Sequence, residues 1–196
     1  MKKVDVKKLA QVLRVLVIIA FVCNLIALLF VPAIVVMSPG GMVESIVRDW
    51  KLWASGEDPG DLYYSPFPFL LLLSWLGVST EPYTAALILL LLLCGICTAV
   101  ILWQAKRVLD TILKGTPFTL VNVMSLYRAA VCCFIISGAA LVRMVLGLVF
   151  YRSIAPLLTY NALFVPIFFM GGLLCMVMSA LFRRAAELKE ENDLTI

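Results

Sequence analysis

Four stretches of this chain are long and apolar enough to dictate their own environment. Val15–Val36, Thr84–Gln104, Ala129–Tyr151 and the stretch from about Leu163 to Phe182 match the roughly 20 apolar residues that a helix needs to cross a bilayer. Lipid offers no partner to a backbone N–H or C=O, so each stretch must cross as a helix that closes its own hydrogen bonds. The expected fold is all-α: one membrane domain spanning residues 1–196, with four transmembrane helices. Composition agrees, since 63% of the 196 residues are hydrophobic and 14% charged, and the mean hydropathy is +1.06. A soluble domain carries about a quarter charged residues. The apolar surplus here exceeds what one core of this size hides, so lipid is the first partner to expect.

Orientation follows from the basic residues. Lys2, Lys3, Lys7, Lys8 and Arg14 precede the first span. Lys106, Arg107, Lys114 and Arg128 lie between the second and third, and Arg183, Arg184 and Lys189 follow the fourth. The opposite side carries Arg48, Lys51 and Arg152. Positive loops stay in the cytoplasm, which places both termini and the loop 105–128 inside. A cleavable signal peptide is not expected: the first apolar run exceeds an h-region of about 7–15 residues, and no A-x-A-like site follows it.

The outer loop 37–83 contains turn signals, SPGG and SGEDPGD, around a candidate amphipathic surface helix, MVESIVRDWKLW. Within it, residues 66–78 (PFPFLLLLSWLGV) are short for a span and open on two prolines. They read as an interfacial or re-entrant piece, with a fifth span as the alternative. The inner loop reads as helix, turn, helix. Lys114 and Gly115 suit a helix end, and Thr119 suits the N-cap of the helix that follows. The tail from Arg183 to Ile196 extends the fourth helix into water, with Arg183/Glu187 and Lys189/Asp193 at i,i+4 spacing.

The polar residues inside the spans are few. Arg143 is charged and sits among Ala139, Ala140 and Gly147, with no Asp or Glu in any span to pair with it. It reads either as a contact for an anionic ligand or as a side chain snorkelling to the interface. Asn24 is expected to make an interhelical hydrogen bond. Gly171, Cys175 and Ser179 recur every four residues, the pattern of a close-packed helix face.

Several function classes lack their residues. The chain has no His, which removes the commonest general base and metal ligand. No span carries the paired carboxylates of an intramembrane aspartyl protease or the buried acids typical of ion-coupled transport. Neither a P-loop nor a dinucleotide fingerprint is present. The six cysteines all fall in apolar runs, so a disulfide framework is not expected. Cys94 and Cys97 form a CxxC without a second pair, and no metal or other cofactor is expected. The basic residues flank spans rather than forming a stripe on a soluble fold, so direct nucleic-acid binding is not expected.

Two segments resemble a known family. Lys114, Gly115, Pro117, Phe118, Thr119, Asn122 and Val123 match a KG-x-PFT-x-ENV stretch, and Leu188, Lys189, Glu190, Glu191, Asn192, Asp193, Leu194 and Thr195 match an LKEENDLT tail. Both are similar to the DUF2975 family of bacterial membrane proteins. Val121 departs from the pattern, where the family commonly has Glu; an acid there would favour the helix dipole, and Val121 does not. The resemblance implies a four-helix inner-membrane protein of uncharacterised role, in a family often encoded beside small helix-turn-helix regulators. It therefore implies a cytosolic DNA-binding regulator as a partner, engaged through Lys114, Pro117, Phe118, Thr119, Asn122, Glu187, Lys189, Glu190, Glu191 and Asp193. The alternative is that these motifs only cap and dock helices. A transport or small-molecule resistance component with Arg143 lining a polar cavity is the rival function. A homo-oligomer is compatible with either.

Overall fold

A computed structural model describes residues 6–37, 82–116, 118–151 and 160–194. The outer segment 38–81, with its interfacial stretch 66–78, and Pro117 lie outside the described residues, as do the side chain of Asp193 and hence its pairing with Lys189. The described residues form four helices and no strand: α1 Val6–Met37, α2 Pro82–Leu113, α3 Leu120–Tyr151 and α4 Tyr160–Leu194. All four are long and apolar enough to cross a membrane. Each runs beyond its apolar stretch, so the segment between the second and third spans is two helical extensions joined by a short turn. Pro32 and Pro166 sit inside α1 and α4 without ending them, as transmembrane helices tolerate.

The chain divides into two compact units, residues 1–25 with 93–196, and residues 26–92. In the second, Ile88 of α2 is buried. In the first, α3 supplies most of the core. Of its apolar stretch 28% is buried, against 6–11% for the other helices. Asn122, Ser125, Ala129, Cys133 and Ile136 recur every three or four residues and are all buried, which is one face of a helix. Small residues on that face let a neighbour approach closely. The neighbour is α4, antiparallel to α3. Ser179 Oγ donates to the Val123 carbonyl and Ser137 Oγ to the Val165 carbonyl, each at 2.9 Å. Phe134 and Phe169 meet edge to face, 5.6 Å between centroids.

Helix α1 runs antiparallel to α2 within this unit. Arg14 pairs with Asp110, and Phe21 meets Trp103 with centroids 5.9 Å apart. The same number of residues separates the two contacts on each helix, as antiparallel packing requires. Its apolar side chains from Leu9 to Leu25 are otherwise largely exposed, as expected of a helix solvated by lipid.

Candidate functional site

The antiparallel pairings gather four ends at one pole of the unit: the start of α1, the end of α2, the start of α3 and the last turns of α4. Both family motifs lie there. Helix α2 stops in a defined way. Gly115 has φ +79°, a region that glycine enters without the Cβ clash. Thr116 N donates to Thr111 O at 3.2 Å and Gly115 N to Ile112 O at 3.1 Å, the paired bonds of a Schellman cap. Helix α3 then begins with the Thr119 carbonyl accepting from Asn122 N at 3.0 Å and Val123 N at 3.3 Å.

Thr119 occupies the capping position, but its hydroxyl does not cap. Thr119 Oγ1 is buried and has no hydrogen-bond partner among the described residues, which corrects the expectation of a side-chain N-cap. Order in the turn comes from Asn122. This residue is fully buried (0% exposed). Its Nδ2 donates to Thr111 Oγ1 at 2.6 Å, and that hydroxyl donates to the Val108 carbonyl at 2.7 Å. The start of α3 is thereby fastened to the last turns of α2. Ser125, 2% exposed, bonds back to Val121 O at 2.9 Å. Ser179 bonds α4 onto the first turn of α3. Polar groups so buried require partners, and here the partners tie three helices together.

Asn122, expected among the contact residues, is taken up by this tie and presents no exposed surface. The motif residues that remain exposed are Lys114, Phe118, Glu187, Lys189, Glu190 and Glu191. Phe118 and Phe182 lie 5.4 Å apart between ring centroids, which brings the turn against α4 just before its charged extension. Along that extension Arg183 Nε donates to Glu187 Oε1 at 2.9 Å. Leu188 stands 65% exposed on it.

The intramembrane candidates fall differently from expectation. Asn24 is half-buried, and its Oδ1 has no hydrogen-bond partner among the described residues, so the expected interhelical bond through that oxygen is not made. Gln104, a buried residue that sequence reasoning passed over, is in the same state at Oε1. Cys175 and Ser179 do face α3, through Cys133 and Val123. Gly171 does not: a Cβ there would meet nothing within 4 Å. The close approach is one residue on, where a Cβ on Gly172 would stand 3.0 Å from the Phe134 ring. Arg143 is half-buried and continues the inward face of α3 between Ala139 and Gly147, both buried, within electrostatic reach of Cys94 on α2. Among the described residues no carboxylate pairs with it. All six thiols are free, and no group of three or more potential ligands among the described residues could hold a metal ion.

With this arrangement in view, comparison with known proteins decides the family. Residues 62–196 match the model of a protein family of unknown function, DUF2975. The chain belongs to the DUF2975 family. No curated protein and no solved structure matches it. As a DUF2975 member with four apolar helices, the chain is a multi-pass membrane protein. Its Asn122, inside the shared motif, is a structural tie, whereas the Lys114 and Lys189–Glu191 positions are surface.

Proposed function

We propose that this DUF2975 protein is a non-enzymatic protein of the bacterial inner membrane that engages a cytosolic partner, such as a small helix-turn-helix regulator, through its motif-bearing pole. The observation that carries the reading is convergence. Two segments far apart in sequence, 114–119 and 182–192, meet through the Phe118–Phe182 contact. Beneath them lies a buried polar tie that holds the pole in one arrangement. Rigid support lowers the ordering cost of binding. The excess of Lys and Arg at this pole supports its cytoplasmic placement, where a soluble regulator can reach it.

The test uses the tagged full-length protein and a variant truncated at Glu187, each captured from membranes together with cytosolic proteins. The exposed changes Lys114→Glu and Leu188→Ser, which leave the buried tie intact, accompany them. Loss of a specific cytosolic partner and altered target transcription in these variants is the expected result. If removal of 187–196 changes neither, the reading fails.

A second reading rests on Arg143. An inward-facing intramembrane cation without a carboxylate partner among the described residues is costly, and such residues often serve ion or substrate pathways. On this reading the protein is part of a transport or small-molecule resistance system that handles an anionic or polar compound. An Arg143→Leu variant that retains the full transport or resistance phenotype would sink it.

A further inference from the structure

Between Glu81 and Glu187 the chain has a single acid, Asp110. The structure spends it on α1: Arg14 Nε lies 2.7 Å from Asp110 Oδ1. The contact is ionic, since Arg14 Nε makes no aligned hydrogen bond among the described residues. Lys106, Arg107 and Lys114 are left with no carboxylate among the described residues. They also share one face of α2 and of the turn that closes it, where Lys114 N still donates to Asp110 O. At about 100° per residue, Trp103, Lys106, Arg107, Asp110 and Lys114 fall within an arc of roughly 100°. At 1.5 Å per residue the stripe extends about 16 Å from Trp103 to Lys114.

Its end nearest the apolar part of α2 is aromatic. Trp103 is 52% exposed, with Phe21 of α1 against it. The Nζ of Lys106 sits 5.2 Å above the indole ring. Tryptophan favours the headgroup level of a bilayer, and a lysine stem can lie along such a ring with its ammonium in the polar layer. An aromatic platform at headgroup depth, followed by uncompensated cations, matches a lipid whose acyl-glycerol part is apolar and whose headgroup carries net negative charge.

We propose that the α1–α2 seam binds the headgroup of an anionic phospholipid. Lys106 and Arg107 contact the phosphate, and Trp103 contacts the carbons below it. The Arg14–Asp110 pair keeps the local acid from competing. The proposal rests on the proposed function only for the placement of the pole at a bilayer surface, so loss of the cytosolic partner would leave it standing.

The experiment is lipid binding to the intact protein, purified in neutral detergent and titrated with phosphatidylglycerol or phosphatidylcholine, with bound lipids counted by native mass spectrometry. Preferential retention of phosphatidylglycerol is expected. Each surface cation near an anionic lipid contributes roughly fivefold in affinity, so the combined Lys106→Gln and Arg107→Gln variant should lose preference by about 30-fold. The charge-preserving pair Lys106→Arg and Arg107→Lys should keep it, as should Arg128→Gln on α3. Salt at about 0.5 M should weaken the native preference, because charges in the polar layer are screened; this arm needs no variant to fold. Equal retention of both lipids, a salt-insensitive preference, or an unchanged preference in the double Gln variant would overturn the proposal. Competition by millimolar inorganic phosphate would assign the site to a free anion rather than a lipid, and would overturn it as well.

Discussion

Replacing Asn122 with Ala removes the side chain that ties α3 to α2. In the native protein this residue is fully buried and gives Thr111 a 2.6 Å hydrogen bond. The net worth of a typical intramolecular hydrogen bond is about 0.5–1.5 kcal/mol. The deleted amide also leaves a void where the surroundings relax only in part. Together these give an expected destabilisation of about 2 kcal/mol, or roughly a 30-fold shift in the folded-to-unfolded ratio. Thr111→Val attacks the same tie from the other side, leaving a buried amide donor without its acceptor at a cost of about 1–3 kcal/mol. The two changes share one bond, so the double variant should be less destabilised than the two single effects added, by about 1 kcal/mol. The assay is reversible unfolding in mixed micelles with increasing denaturing detergent, followed by helical circular dichroism. Single variants within 0.5 kcal/mol of native, or strict additivity in the double, would refute the assignment of Asn122 as a structural tie.

Other consequences follow from single contacts. Gly115→Ala forces a Cβ into a left-handed turn at φ +79° and should cost about 1–2 kcal/mol in the same unfolding assay; Gly115→Asn should cost less. Gly171→Ala should be neutral or stabilising by up to about 1 kcal/mol, since alanine is the better helix former and the space is open. Gly172→Ala must displace the Phe134 ring and should rank clearly below it; equal stabilities would contradict the packing described. Ser179→Ala loses the bond to Val123 O and should cost about 0.5–1.5 kcal/mol. Arg14→Ala should change stability by no more than about 1 kcal/mol, because the pair with Asp110 is partly exposed, and salt should reduce that difference further.

Much of this architecture was legible in the linear sequence. Spanning a bilayer is a requirement on length and apolar content, both of which are one-dimensional, and four stretches met it. The family was also legible, because its motifs are runs of adjacent residues around Gly115 and in the tail. The Gly115 helix end could be read for a local reason: a left-handed turn admits few residues. The Arg183–Glu187 pair could be read because four residues bring two side chains to the same side of a helix.

The sites went less well, for a definite reason. Whether a polar side chain is a tie, a surface contact or an orphan depends on how each helix is rotated and slid against its neighbour, and sequence spacing within one helix does not contain that. Asn122 looked like a contact residue and is fully buried. Thr119 had the right chemistry and position for a cap, yet its hydroxyl makes no hydrogen bond among the described residues. The close packing of α4 falls at Gly172 rather than Gly171, a shift of one residue and therefore of about 100° around the helix. Arg14 and Asp110, distant in the chain and with no local spacing to link them, become partners through the antiparallel register of α1 and α2. The sequence by itself determined that these helices must exist and be solvated by lipid, because that depends on summed hydropathy. Only the tertiary structure decided which polar groups meet, because hydrogen bonds and ion pairs act over a few ångströms and in fixed directions.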